Sequence, residues 1–173
     1  MKKFQFLLLD TGPIIKLFEL GIWEDFIRRC DVTVSQTVAD QAKWASQELE
    51  DIRINLDPYK NQELINVFDV DISLAKSFHN RFNEVYKTEI HSGEKETLAF
   101  LCNSSENWFV CAADKAVFRV LGLIGKAKQG ISLEEVLKEI GLSRKLEWQY
   151  TKKFREKYTL MGQVDSIQDK GLL

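Results

Sequence analysis

Apolar residues fall along this chain in short runs separated by stretches with a helical repeat, and that alternation predicts a parallel sheet covered by helices. Phe4 to Leu9, apolar but for Gln5, reads as a strand buried on both faces. Pro13 suits the first turn of a helix in which Ile14, Leu17 and Phe18 keep helical spacing, with Gly21 just past its end. A second short helix is expected from Ile22 to Arg29, with Trp23, Phe26 and Ile27 inward, and a strand at Val32 to Val34. From Thr37 to Glu50 the stripe Val38, Ala42 and Ala45 predicts another helix.

Further on, Leu64 to Val70 reads as a strand, and Asp71 as the cap of one long helix carrying Ile72, Ala75, Phe78, Phe82 and Val85 inward. The stretch HSGEKETLAFLC opens a helix capped by Ser92 or Gly93, with Leu98, Leu101 and Cys102 facing the core. Trp108 to Ala112 is a strand, and Asp114 caps a helix that runs to Gly122. Ser132 to Glu135 has the sequence of a capping box for a helix ending near Gly141, and Ser143 to Tyr158 predicts a last helix. The fold class expected is a three-layer α/β/α domain with a short, mainly parallel sheet over residues 1–130. Residues 131–173 form a helical extension packed on the same domain.

Composition changes this picture little. With 173 residues, 45% hydrophobic and 29% charged, the chain is long enough for one domain with a real core. The two lysines and the apolar run at the N-terminus imitate a signal peptide, but Asp10 interrupts the run too early, and no stretch approaches a membrane span. Cys30, Cys102 and Cys111 are odd in number and lie far apart, which fits free thiols in the cytoplasm. Residues 1–125 carry a net charge of −5 and residues 126–158 a net +4, an acidic body with a basic segment behind it.

The candidate chemistry lies in four carboxylates. Asp10 directly follows the first strand and Asp114 comes two residues after Ala112, while Asp40 and Glu94 stand in the first turns of helices. In an open α/β sheet, ligands sit outside the carboxyl ends of the strands, so all four can face one pocket. Gathered carboxylates raise each other's pKa unless a cation lies between them, and a hard divalent ion such as Mg²⁺ or Mn²⁺ is the usual answer. Such an ion activates water and stabilises charge on a phosphodiester, which explains why a costly aspartate would end a buried strand.

The segments LLLDTGPIIKLFELG, VTVSQTVADQA, HSGEKETLAFL and WFVCAADKAVFRVLG, in this order and spacing, resemble the PIN-domain nucleases, and most closely their VapC-like toxin branch. The resemblance covers roughly residues 4 to 125. It implies a PIN-like fold, with Asp10, Asp40, Glu94 and Asp114 as the acidic set binding Mg²⁺ or Mn²⁺ in an endoribonuclease. It further implies a small antitoxin protein as partner and a homodimer. Thr11 matches a hydroxyl residue often found after the first acid, whereas Asp40 stands where the family has Glu, and Ala112 where it commonly has Thr or Ser. Those two departures support the alternative, a catalytically silent PIN-like module that binds RNA or protein. Haloacid-dehalogenase-like phosphatases also place Asp after strand one, but they need a second Asp where this chain has Gly12.

Other residues carry weaker expectations. Lys115 and Arg119, on the helix after Asp114, are candidates for contact with the RNA backbone. His79 is expected in solvent, and His91 in a loop beside the acidic set. Leu146, Tyr150, Phe154 and Tyr158 recur every four residues among lysines and arginines, the mark of a packing stripe with a charged opposite face.

Overall fold

A computed structural model describes residues 2–47 and 49–173. Its centre is a five-stranded parallel sheet in the order β5-β2-β1-β6-β7, formed by β1 (Phe4–Leu9), β2 (Cys30–Ser35), β5 (Ile65–Phe68), β6 (Phe109–Cys111) and β7 (Gly130–Ile131). Strand β1 takes the middle position because its last three residues, Leu7, Leu8 and Leu9, are apolar toward both faces and fully buried. Their side chains alternate, Leu7 and Leu9 into one core and Leu8 into the other.

The first core is closed by α1 (Thr11–Glu19), α2 (Trp23–Arg29), α3 (Gln36–Gln41) and α9 (Leu133–Glu139), through Ile14, Leu17, Phe26, Val38 and Leu137 among others, with α4 (Asp57–Asn61) set against it through Tyr59. The second is closed by α5 (Ile72–His79), α6 (Glu84–Glu89), α7 (Ser92–Asn103), α8 (Lys115–Leu123) and α10 (Lys152–Ile167). This is the three-layer α/β/α architecture with a short parallel sheet and a C-terminal helix. Residues after 130 belong to the same body: β7 is one edge strand of the sheet, and Leu133, Val136 and Leu137 are fully buried in the first core. Among the described residues no helix is long and apolar enough to cross a membrane.

Five local readings are corrected. The helix expected over residues 37–50 stops at Gln41, where Ala42 leaves helical backbone. The chain then makes an antiparallel hairpin, β3 (Trp44–Gln47) with β4 (Glu50–Arg53), while Glu48 lies outside the described residues. Val38, Ala42 and Ala45 are all buried as the stripe required, but Ala45 gets there from a strand in which neighbouring side chains alternate. The long helix from Asp71 divides in two. Asp71 caps α5 as expected, accepting from the Ser73 amide at 2.7 Å, but Asn83 caps a new helix, α6, by accepting from the Tyr86 amide at 3.1 Å. Asn side chains compete for backbone donors and favour such caps over helix interiors. His79 Nε2 lies 3.0 Å from the Lys87 carbonyl rather than in open solvent.

Residues 143–158 are not one helix. A single 3₁₀ turn at Trp148–Tyr150 precedes α10, whose cap Thr151 accepts from the Phe154 amide. The aromatic stripe nonetheless packs, with Tyr150 and Phe154 each 7% exposed and Leu146 and Tyr158 partly buried against the cores. Among the basic residues, Arg155 pairs with Glu135 at 2.7 Å. In β1, Phe6 adopts φ 57° at a register shift between Phe4 and Leu7, so the strand is buried on both faces over Leu7 to Leu9 alone.

Helix α10 lies against α8 with almost no gap. A Cβ at Gly122 would collide with the Thr159 carbonyl, and one at Gly162 with the Arg119 carbonyl, so glycine is required there for backbone approach. Gly162→Ala is expected to cost about 1–3 kcal/mol through forced separation of the two helices. Leu160→Ala, on an exposed position of the same helix, changes stability by no more than about 0.5 kcal/mol. Thermal unfolding of the two variants beside the parent chain checks this; equal losses would mean that the crossing is not close-packed.

Candidate active site

The carboxyl ends of β1 and β6 and the first turns of α1 and α7 meet around a pocket of about 340 Å³. It is lined by Asp10, Thr11, Gly12, Gln41, His91, Gly93, Glu94, Ala113 and Asp114. Each acid is placed by a different device. Asp10 leaves β1 in extended backbone, its amide donating to the Cys111 carbonyl at 3.0 Å, which ties the end of β1 to the end of β6. It occupies the N-cap position of α1 without a side-chain capping hydrogen bond, so the ordinary role of an aspartate there does not account for it. Asp114 does cap its helix, accepting from the Ala116 amide at 2.8 Å through Oδ1. Glu94 reaches back from the first turn of α7 to accept from the His91 amide at 2.9 Å. The N-cap of α7 is thus His91 rather than Ser92 or Gly93.

Close packing brings these pieces together. A Cβ on Gly12 would stand 3.0 Å from the Ala113 Cβ, so the glycine lets the start of α1 press against the loop carrying Asp114. A Cβ on Gly93 would stand 2.9 Å from Gln41 Oε1 and 3.1 Å from Val38 Cγ2, so the second glycine lets α3 press against the start of α7.

The electrostatics follow from burial without a counter-charge. Asp10 and Glu94 are each only 7% exposed, and neither Lys nor Arg is among the lining residues. Burial, reinforced by the charge of Asp114, pushes the Asp10 carboxyl up to about 6, against the opposing pull of the Thr11 amide and His91. Glu94 is pushed further, to about 8, by burial first and then by the charges of Asp10 and Asp114. Carboxylates displaced in this direction are short of positive charge, and a hard divalent cation with oxygen ligands fits that deficit. Among the described residues no group of three or more His, Cys, Asp or Glu side chains already stands arranged to hold a metal ion. The three acids therefore share a pocket without forming a closed coordination set.

Four of the residues singled out in the sequence come together here: Asp10, Thr11, Glu94 and Asp114. Three do not line the pocket. Asp40 is on the exposed side of α3, its Oδ1 accepting from Gln36 Nε2 at 2.9 Å. Lys115 is exposed beyond the pocket wall. Arg119 is committed elsewhere: it donates to Asp165 at 2.8 Å, pairs with Glu89 at 3.4 Å and lies over the Tyr86 ring at 4.6 Å, bracing α6, α8 and α10. Gln41 joins the site without a sequence signal, since a neutral amide next to an aspartate carries no mark of function. His91, expected as a bystander in a loop, lines the pocket. A larger cleft of about 840 Å³ at the amino-terminal end of the strands mixes Glu134, Glu135, Arg144 and Lys152, whose opposite charges compensate each other.

The raised carboxyls imply a stability that depends on pH. An acid whose folded-state pKa exceeds its unfolded value stabilises the fold fully below the unfolded value, near 4, and that contribution is lost as pH rises through the folded value. Without divalent ions, Tm is therefore expected to fall from pH 5 to pH 8.5, with Asp10 alone accounting for roughly 1 kcal/mol of the loss in that window, the rest of its contribution having gone already below pH 5. Glu94→Gln, which keeps an acceptor for the His91 amide, should flatten that fall and unfold at higher temperature than the parent chain at pH 8. Unfolding curves across this range decide it, and a Tm that rises with pH would contradict the burial of these groups as carboxylates. No family model, curated protein or solved structure matches this chain, so the reading of the pocket rests on its own chemistry and on the resemblance in its sequence.

Proposed function

We propose that this chain is a divalent-metal-dependent nuclease hydrolysing RNA phosphodiester bonds, with Asp10, Glu94 and Asp114 holding Mg²⁺ or Mn²⁺. The observation that carries the reading is the pocket at the carboxyl end of the parallel sheet, where three carboxylates meet with no lysine or arginine among the lining residues. The bound ion supplies neutralising charge, an acidified water and a seat for a phosphodiester oxygen. The chain's own residues supply position. Asp10 is held by β1, Asp114 by its cap on α8, and Glu94 by its bond to the His91 amide, so none needs to be ordered when substrate arrives. The N-terminus of α7 directs its amide dipoles toward the pocket, which favours an anion such as phosphate. No thiol or lysine lines the pocket, and the attacking group proposed is a metal-activated water, with no covalent intermediate.

Preference for RNA, inhibition by a small antitoxin and a homodimeric state follow from the sequence resemblance. A second reading, a silent PIN-like module that binds RNA or protein without cutting, is favoured by one observation: Asp40, the acid expected from α3, lies outside the pocket. The two are separated by incubating an end-labelled mixed RNA pool with purified protein in Mn²⁺, in Mg²⁺ and in EDTA. Cleavage in metal is expected, abolished by EDTA and reduced by roughly 100-fold or more in Asp10→Asn and Asp114→Asn, the scale of losing a principal electrostatic contact. RNA bound equally by parent and variants, with no cleavage in either metal, supports the silent module.

A further inference from the structure

The face that α3 turns toward α7 is made of Thr37, Val38 and Gln41. Thr37 Oγ1 donates to Glu96 at 2.9 Å, Val38 is fully buried, and Gln41 Nε2 donates to Ser92 Oγ at 3.3 Å. On the other side of the same carboxamide, Oε1 accepts from Thr11 Oγ1 at 3.3 Å. Gln41 thereby joins the first turn of α1, which follows Asp10, to the first turn of α7, which contains Glu94. At 100° per residue, Asp40 lies on the opposite side of α3 from Val38, which explains its exposure and its bond to Gln36. Gly93 leaves room for this arrangement, since a Cβ there would stand 2.9 Å from Gln41 Oε1 and 3.1 Å from Val38 Cγ2.

We infer that Gln41, not Asp40, is the residue that α3 contributes to the acidic site, acting as a neutral positioning residue that braces Asp10 and Glu94 and limits the pocket to three carboxylates. This rests on the metal-site reading above. A carboxylate at position 41 would add a fourth negative charge to a pocket already short of cations. The amide instead bonds both flanking hydroxyls and adds none. The consequence is a pocket whose affinity for a divalent ion is held below what its shape allows, and which Gln41→Glu should raise. That replacement preserves both contacts, because Thr11 Oγ1 still donates and Ser92 Oγ can donate in place of accepting.

The test uses the full chain with Mn²⁺ as the probe, and compares the parent with Gln41→Ala, Gln41→Glu and Asp40→Asn. Calorimetry is expected to give Mn²⁺ binding about tenfold tighter in Gln41→Glu, a few-fold weaker in Gln41→Ala, and unchanged within twofold in Asp40→Asn. Amide hydrogen exchange without metal reads the brace separately: Gln41→Ala should speed exchange at Thr11, Gly12 and Ile14 and at residues 92–96, and Asp40→Asn should not. Weaker Mn²⁺ binding in Asp40→Asn with the Gln41 variants unaffected would overturn the assignment in favour of Asp40. Faster exchange in Gln41→Ala together with no Mn²⁺ binding by any protein would remove the metal-site reading and, with it, the limit on charge, while upholding the brace. Unchanged exchange and unchanged affinity in both Gln41 variants would overturn the brace itself.

Discussion

Two buried carboxylates, Asp10 and Glu94, with the half-buried Asp114 beside them and no lysine or arginine lining their pocket, set the terms for the rest of the molecule. Ionised acids repel one another and lose hydration when buried, so a fold that assembles them spends stability that its cores must supply. Here the supply is the paired cores on either side of the sheet, in which Leu7, Leu8 and Leu9 are all fully buried directly before Asp10. The strand that is hardest to move is thus the one that carries the first acid. Asp114 and Glu94 are fixed in turn by hydrogen bonds to backbone amides, which hold each side chain in place.

The two halves of the site are joined by contact as well as by charge. Gly12 and Gly93 are needed for what they omit, a Cβ that would separate the start of α1 from Ala113 and the start of α7 from α3. The same device recurs at Gly122 and Gly162, where α8 and α10 meet backbone to backbone. Arg119 shows how packing reassigns a charged residue. Its place on the helix after Asp114 suggests contact with substrate, yet it is enclosed by Asp165, Glu89 and Tyr86, and it serves the junction of three helices.

Much of this was legible in the sequence. The apolar runs marked four of the five parallel strands, all but the two-residue β7, capping residues such as Asp71, Asp114 and Ser132 marked helix starts, and Asp10, Glu94 and Asp114 stood out because carboxylates after buried strands or in first turns have few ordinary uses. The failures share a cause. The stripe Val38, Ala42 and Ala45 satisfies a helix and also a helix that gives way to a hairpin, and only the pairing of Trp44–Gln47 with Glu50–Arg53 selects the second. Phe78 and Phe82 fit one long helix until Asn83 takes the Tyr86 amide.

What the sequence determined by itself was therefore the kind of sheet, the fully apolar end of its central strand and three of the acids, because each depends on residues adjacent in the chain or one turn apart. Tertiary structure decided the membership of the pocket. Whether Asp40 or Gln41 faces the site depends on which side of α3 meets α7, and that is set by Val38 and by the missing side chain of Gly93, more than fifty residues away. Periodicity records that a helix has a buried face, but the neighbour that covers it, and so the direction in which each polar residue points, is fixed only when the chain closes on itself.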